Sequence, residues 1–455
     1  MSTTPFQALD LGLHFDDQDQ RQWWKRAGPV LGQQLLLANY ELHKQYQYLS
    51  FFAHHIIPLL GPAPRSWESN SESDQYDYHP LEISQNFQNS GSTIRIGFQP
   101  RAYSSHVRAQ DPFGELSTEE SLARLGQVPG VELDLQPYHR LASLLNLTRT
   151  EENALLQPAG HQSLSPLFKT QHLIAVQLPR TGRITLKGYW FLSAKSMVRG
   201  IPISDLSFQA IRNLDDGNNT LTPGLRPIEE YFAGVPMQPA HPTRPQLTEF
   251  GTVGCDHVAM SRSRFKLYFF EALCQFDRVA DIYTLGGRLT NAPGIAEGLD
   301  ILRQIWSILR IPEGYHYASL QDSLVRKSTD TETCNGEATT SSTGIPKTSS
   351  AGEREYFDDQ PLIFNFEIRP GESWPQPKIY FHLSYLTDSQ VADAVVALFE
   401  RLGWKDEARR YRENLKTYYP RSDFDKTSGL QRLLSFSYSA KSGPYTTVYY
   451  WQIGA

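Results

Sequence analysis

RFKLYF, residues 264–269, alternates strictly: Arg264, Lys266 and Tyr268 fall on one side, Phe265, Leu267 and Phe269 on the other. Successive side chains of a β-strand point to opposite faces, so this period of two marks a strand with one polar and one apolar face. The pattern recurs at Lys187 and Tyr189 against Leu186 and Trp190, and at Lys378, Tyr380 and His382 against Ile379, Phe381 and Leu383. Near the end of the chain Thr447 and Tyr449 oppose Val448. Far upstream, LEISQNF and TIRIGF flank a Gly-containing turn and read as a β-hairpin. Glu82, Ser84 and Asn86 share one face of its first strand; Thr93, Arg95 and Gly97 share one face of its second, against Ile94, Ile96 and Phe98.

Helical stretches separate these strands. Between residues 20 and 60 apolar residues recur at helical spacing up to the breaker Gly61-Pro62, which predicts two packed helices. Thr387 and Gln390 form a capping box ahead of Val391, Ala394, Val395, Leu398 and Phe399, and that helix stops near Gly403. A shorter one ends at Pro420. A further helix runs over 293–309, with Ile295, Leu299, Leu302, Trp306 and Leu309 on one side. Strands are expected at 171–178, 184–191, 264–269, 362–368, 378–383 and 446–451. The order helix, helix, strand, strand repeats, an α+β arrangement in which amphipathic helices cover the apolar faces. Residues 328–353 are rich in Ser, Thr and Gly and predict a disordered surface insertion. Elements of the same style resume after it, so a single domain over residues 1–455 is expected.

Composition limits the partners. A net charge of -6 argues against bulk nucleic-acid binding, so any anion site must be local. Aromatic residues make up 12% of the chain, enough to line a cavity as well as fill a core. Cys255, Cys274 and Cys334 show neither a CxxC spacing nor a disulfide framework, which fits a reducing compartment. No signal-like N-terminus and no run of roughly 18 apolar residues is present, so a cytoplasmic protein without membrane association is expected.

The polar faces carry five cations, Arg95, Lys187, Arg264, Lys266 and Lys378, against one carboxylate, Glu82. An open antiparallel sheet with a wet polar face is the bland alternative. A wet face mixes its polar residues, however, whereas these strands repeat a pairing of cation with tyrosine. In a closed barrel the cations would converge in the lumen, where they repel one another unless an anion joins them. A diphosphate fits. Its departure from an allylic carbon leaves a carbocation, which tyrosine ring faces stabilise by roughly 0.5–2 kcal/mol each. Tyr189, Tyr268, Tyr380 and Tyr449 would shield that cation, and the positive cluster would stabilise the leaving group. Glu82 would accept a hydrogen bond from an N–H or O–H of an aromatic acceptor.

With HKQYQYLSFFAHHIIPLLGP, LEISQNF, TIRIGFQP, ITLKGYWF, CDHVAMSRSRFKLY, YTLGGRL and PQPKIYF in order, the chain resembles the fungal aromatic prenyltransferases of the dimethylallyltryptophan synthase type, cyclic dipeptide prenyltransferases above all. The resemblance implies ααββ repeats that form a ten-stranded antiparallel barrel inside a ring of helices. It implies Glu82 as the residue that contacts the indole N–H, with Arg95, Lys187, Arg264, Lys266 and Lys378 as diphosphate ligands. Tyr189, Tyr268, Tyr380 and Tyr449 would be the carbocation shield, and Gly97 a small residue beside the prenyl group. The implied activity is metal-independent transfer of a dimethylallyl group from dimethylallyl diphosphate to an indole, as in a tryptophan-containing cyclic dipeptide or related alkaloid of secondary metabolism. No cofactor and no magnesium requirement is expected, and a homodimer is left open. Members that alkylate free tryptophan at C4 carry a lysine in the strand before ITLKGYWF; QHLIAVQL has none, and His172 is a substitute base only if it faces the lumen. Phenolic or polyketide acceptors, and a non-catalytic barrel that binds isoprenoid diphosphates, remain alternatives.

Other signals point elsewhere. Asp16-Asp17-Gln18-Asp19 fails the DDxxD spacing of magnesium-dependent enzymes and suits a helix N-terminus. His54 and His55 read as packed or capping residues rather than ligands, and Gly286-Gly287 as a tight turn.

Overall fold

The computed structural model describes residues 3–64, 81–89, 91–157, 171–215, 217–234, 248–316, 356–357 and 362–451. The insertion expected over 328–353, including Cys334, lies outside the described residues.

Five antiparallel hairpins follow one another along the chain. They are β1 (Leu81–Gln88) with β2 (Gly91–Phe98), β3 (His172–Leu178) with β4 (Ile184–Phe191), and β5 (Thr248–Asp256) with β6 (Phe265–Glu271). Then come β7 (Leu362–Ile368) with β8 (Gln376–His382), and β9 (Gln431–Ser439) with β10 (Gly443–Tyr450). Neighbouring hairpins pair through β2–β3, β6–β7, β8–β9 and β10–β1, and the pairing of β4 with β5 closes the ring. The result is a closed ten-stranded antiparallel barrel. Closure leaves no strand edge among the ten. A short strand, Val131–Glu132, runs parallel to β4 outside this ring.

At least two helices precede each hairpin. Gln18–Leu37 and Leu42–Phe51 lead into β1, Glu115–Gly126 and Gln136–Leu145 into β3, and Ile203–Leu214 and Thr222–Gly234 into β5. Phe276–Tyr283 and Ile295–Leu309 lead into β7, and Asp388–Arg401 and Lys405–Tyr418 into β9. The expected repeat is therefore present. The last helix is not the shorter of its pair, since both span 14 residues. The Thr387 capping box forms as read, with its hydroxyl accepting from the Gln390 N–H. Asp17 caps the helix Gln18–Leu37 by accepting from the Gln20 N–H at 3.0 Å, which absorbs the acidic run. His54 and His55 are exposed on the helical segment Phe52–Ile56, with the His55 ring 5.5 Å from that of Phe51.

The apolar strand faces point outward, into the helices. Phe269 lies 5.5 Å from Phe364 on the neighbouring strand and 5.0 Å from Phe232 of a covering helix. Phe87 meets Phe399 at 4.8 Å on the far side. Burial of each such ring contributes about 1.5–3 kcal/mol. The core is thus the annulus between barrel and helices, which frees the inside of the barrel for other chemistry.

Two strands, β5 and β9, carry no clear alternation in the sequence. Each contains a register shift, between Phe250 and Thr252 and between Gln431 and Leu433. A bulge inserts an extra residue and breaks the period of two, so the pattern vanishes where the pairing continues.

Candidate active site

The second strands of the hairpins, β2, β4, β6, β8 and β10, alternate with the first strands around the ring and run in one common direction. Each places two inward side chains in the same order: Arg95 then Gly97, Lys187 then Tyr189, Lys266 then Tyr268, Lys378 then Tyr380, Thr447 then Tyr449. Parallel strands of one tilt stack such residues in levels. The lumen therefore has a cation level and, next along the axis, a tyrosine level. Gly97 is the one position of the tyrosine level without a ring.

The contacts agree. Tyr189 and Tyr268 lie 5.9 Å apart, Tyr268 and Tyr380 6.0 Å, and Tyr380 and Tyr449 6.0 Å, ring centre to ring centre. Asn365 of β7 donates to the Tyr380 hydroxyl at 2.9 Å, and the hydroxyls of Tyr268 and Tyr380 are 3.4 Å apart. Gly254 of β5 lets Tyr189 lie flat against the opposite backbone, since a Cβ there would sit 2.9 Å from the Tyr189 ring. Burial pushes the Tyr268 and Tyr380 phenols well above their ordinary range, so both are neutral hydroxyls.

At the cation level the expected five are joined by residues the sequence reading missed. Asp256, the last residue of β5, accepts from Lys266 Nζ at 2.9 Å and from Arg264 Nε at 2.5 Å, and lies 3.9 Å from Lys187 Nζ. Glu367 of β7 accepts from Arg264 at 3.3 Å and pairs with Arg369. The balance of five cations against Glu82 alone is thereby corrected: two further carboxylates face the cluster. Burial alone would raise the Asp256 carboxyl, but Lys266, Lys187 and Arg264 hold it well below the usual range. The five cations, with Arg369 beside Glu367, outnumber Asp256 and Glu367 at this end of the lumen. Burial first, and then the charge of Arg95, pushes Lys187 and Lys378 well below the ordinary lysine value. Tyr445, also missed, is 3.5 Å from an Arg95 amino group, and Lys378 lies over its ring at 5.0 Å and over the Tyr380 ring at 5.1 Å. Arg95 Nε, Ser84 Oγ and Ser435 Oγ face the same space, buried and without a hydrogen-bond partner. Such orphaned groups suit a polar ligand.

Glu82 lies opposite Gly97, on the far side of the tyrosine level from the cations. It keeps some contact with the lumen, yet burial raises its carboxyl above the ordinary value, against the opposing pull of Trp451, Arg95 and Arg432. His172 is not in the lumen. Its partner across the strands is the outward-facing Trp190, and its ring pairs with Glu115 at 3.1 Å among the helices; Leu173 is the lumen residue instead. The substitute base is excluded by that orientation. Among the described residues no group of three or more His, Cys, Asp or Glu gathers as metal ligands would, and no helix is long and apolar enough to cross a membrane.

The arrangement has counterparts. The family model for tryptophan dimethylallyltransferase matches residues 19–414. Verruculogen prenyltransferase of Neosartorya fischeri is 72% identical over 455 residues, covering 100% of this chain and 97% of its own. The crystal structure of AnaPT from Neosartorya fischeri superimposes with a TM-score of 0.79 at 27% identity, over 99% of this chain and 98% of that one. That of NotF in complex with brevianamide F and DMSPP, a protein of Aspergillus sp., gives 0.77 at 31% identity, over 99% of each chain. A barrel with this lumen and relatives of this kind leave one assignment: the chain belongs to the tryptophan dimethylallyltransferase family and is an aromatic prenyltransferase.

Proposed function

We propose that the protein transfers the dimethylallyl group of dimethylallyl diphosphate to a tryptophan-containing cyclic dipeptide or a related indole alkaloid of the verruculogen kind. The observation that carries this reading is the stacking of levels in one lumen: cationic side chains in excess of carboxylates, a belt of tyrosines, then Glu82 beside the gap at Gly97. NotF binds brevianamide F and DMSPP, and the verruculogen enzyme acts on the acceptor in its name. Arg95, Lys187, Arg264, Lys266 and Lys378 hold the diphosphate, whose negative charge is offset by the cluster's excess of cationic side chains. As the allylic C–O bond breaks, its electron pair moves to the diphosphate oxygen, and preorganised cations stabilise the growing charge without reorganisation. Tyr189, Tyr268, Tyr380 and Tyr449 face the allyl cation and exclude water. Glu82 accepts a hydrogen bond from an N–H or O–H of the acceptor and makes it more nucleophilic. The reading places a single catalytic domain in the cytoplasm, with no metal needed because Lys and Arg do the work of a divalent ion.

The test is incubation of purified protein with dimethylallyl diphosphate and brevianamide F, verruculogen, free tryptophan or a phenol, with and without EDTA. A product heavier by one dimethylallyl unit is expected from an indole alkaloid or cyclic dipeptide in both buffers. Product from the phenol alone would move the acceptor to the phenolic class, and loss of product in EDTA would overturn the metal-free reading. Glu82→Gln should lower kcat by about 10²–10⁴-fold while donor binding is kept, the usual range for a general acid–base group.

A further inference from the structure

Trp451 stands beside Glu82. The register of β1 with β10 aligns Ile83 with Tyr450, so the next residue falls next to Glu82. Its indole N–H donates to Glu82 Oε2 at 3.1 Å. The ring is fixed from several sides. The Arg432 guanidinium lies 3.6 Å from its centre, its backbone N–H donates to the Leu430 carbonyl at 3.1 Å, and its carbonyl accepts from the Tyr419 hydroxyl at 3.4 Å. Only 8% of the residue is exposed. The other carboxylate oxygen looks elsewhere: Oε1 is 3.6 Å from the point where a Cβ on Gly97 would sit. One oxygen is therefore held by the protein and the other is turned to the gap in the tyrosine level.

We propose that Trp451 is a positioning residue for the transfer reaction, its N–H locking Oε2 of Glu82 so that Oε1 alone is presented to the acceptor. The inference rests on the reading of Glu82 given above. A carboxylate is rotationally free about its last bond unless one oxygen is held, and a held one loses less entropy when the acceptor binds. The same bond favours the ionised form. Burial favours the protonated acid, and the Trp451 N–H, Arg95 and Arg432 oppose it. The other titratable groups facing this level are Tyr449 and His382, the latter held neutral by burial and by Arg432, down to about 3.

Trp451→Phe keeps a ring for Arg432 to stack on and removes only the donor. Expected are a fall in kcat of about tenfold, the loss of one charge-assisted hydrogen bond, and an unchanged KM for the donor. The acid limb of kcat/KM for the acceptor should move to higher pH, because the group that favoured the ionised form is gone. Binding of inorganic diphosphate, measured by calorimetry, reports whether the variant is folded. Should it not fold, Arg432→Lys decides instead: it keeps the positive charge and the indole N–H but removes the flat guanidinium that clamps the ring, so kcat should fall with the acid limb little moved, and an unchanged kcat would overturn the proposal. An acid limb and kcat at wild-type values in a folded Trp451→Phe would overturn the proposal. Glu82→Gln separates the two failures. If that variant turns over normally, the reading of Glu82 is wrong; if it is inactive while Trp451→Phe is wild-type, only the positioning role falls.

Discussion

The two strands of each hairpin contribute differently to the lumen. The second strands repeat one theme around the ring, a polar residue followed two places on by tyrosine, with Gly97 the single exception. The first strands repeat nothing: Glu82, Leu173, Asp256, Asn365 and Leu433 face inward with no shared chemistry. A repeated element suits a ligand feature that is itself symmetric in charge, such as a diphosphate surrounded on all sides. On the proposed reading, the singular residues set what happens to it, by balancing charge at one end and holding the acceptor at the other.

The contrast breaks most severely at Asp256. It is the first-strand carboxylate that Lys187, Arg264 and Lys266 share, and removal of one partner from a buried charge group costs about 3–5 kcal/mol. Asp256→Asn should lower stability by about that amount in urea or thermal unfolding of the ligand-free protein. Saturating inorganic diphosphate should then recover more stability in the variant than in the wild type, because the ligand supplies the missing anion. An unfolding midpoint equal to the wild type without diphosphate would show that the cations do not depend on Asp256.

The second strands give the next largest effect, through Lys187 and Lys378. Both are pushed well below the ordinary lysine value of about 10.4, by burial and then by Arg95. Between the depressed value and the ordinary one the unfolded chain binds more protons than the folded one, so their contribution makes stability rise with pH across that window. Below the window both states are protonated and the burial cost is felt in full. A bound diphosphate favours the ammonium form, so binding should take up protons and weaken as pH rises, by up to about tenfold per pH unit for each proton taken up. Calorimetry of inorganic diphosphate in two buffers of different ionisation enthalpy measures the uptake directly. No buffer dependence would mean that the lysines are already charged in the free enzyme.

The same contrast explains what could be read from the chain. Lys187-x-Tyr189, Lys266-x-Tyr268 and Lys378-x-Tyr380 announce a shared face because the pattern recurs on unbulged strands of period two. Closure into a barrel was legible only as the way to bring them together; the number of strands came from the resemblance. Asp256 and Glu367 were missed although both lie in period, since nothing else in the chain repeats them. β9 escaped notice because the shift between Gln431 and Leu433 hides its phase. Trp451 was seen as the end of a strand, and its bond to a residue 369 positions away is a matter of closure alone. His172 shows the complementary limit: alternation within one strand does not say which face is inside, so its role stayed conditional until pairing with Trp190 turned it outward.

The smallest change falls at the exception. At Gly97 a Cβ would meet Glu82 Oε1 at 3.6 Å, Glu82 Cβ at 3.8 Å and Leu173 Cδ2 at 3.8 Å, all ordinary contacts. Gly97→Ala should therefore fold, and gain about 0.5–1 kcal/mol from reduced freedom of the unfolded chain. One methyl group in the gap of the tyrosine level narrows the passage between donor and acceptor. The KM for the acceptor should rise by a few-fold, with a changed ratio of products, while the KM for the donor stays put, an effect within about 1 kcal/mol. Gly254→Ala, on a first strand, is the matched control: its Cβ would lie 2.9 Å from the Tyr189 ring and must displace it, so the loss should appear in turnover with every acceptor alike. Steady-state kinetics with chromatographic separation of products tells the two apart. If Gly97→Ala instead raises the donor KM and leaves the acceptor untouched, the gap belongs to the prenyl chain and the acceptor must enter from elsewhere around the belt.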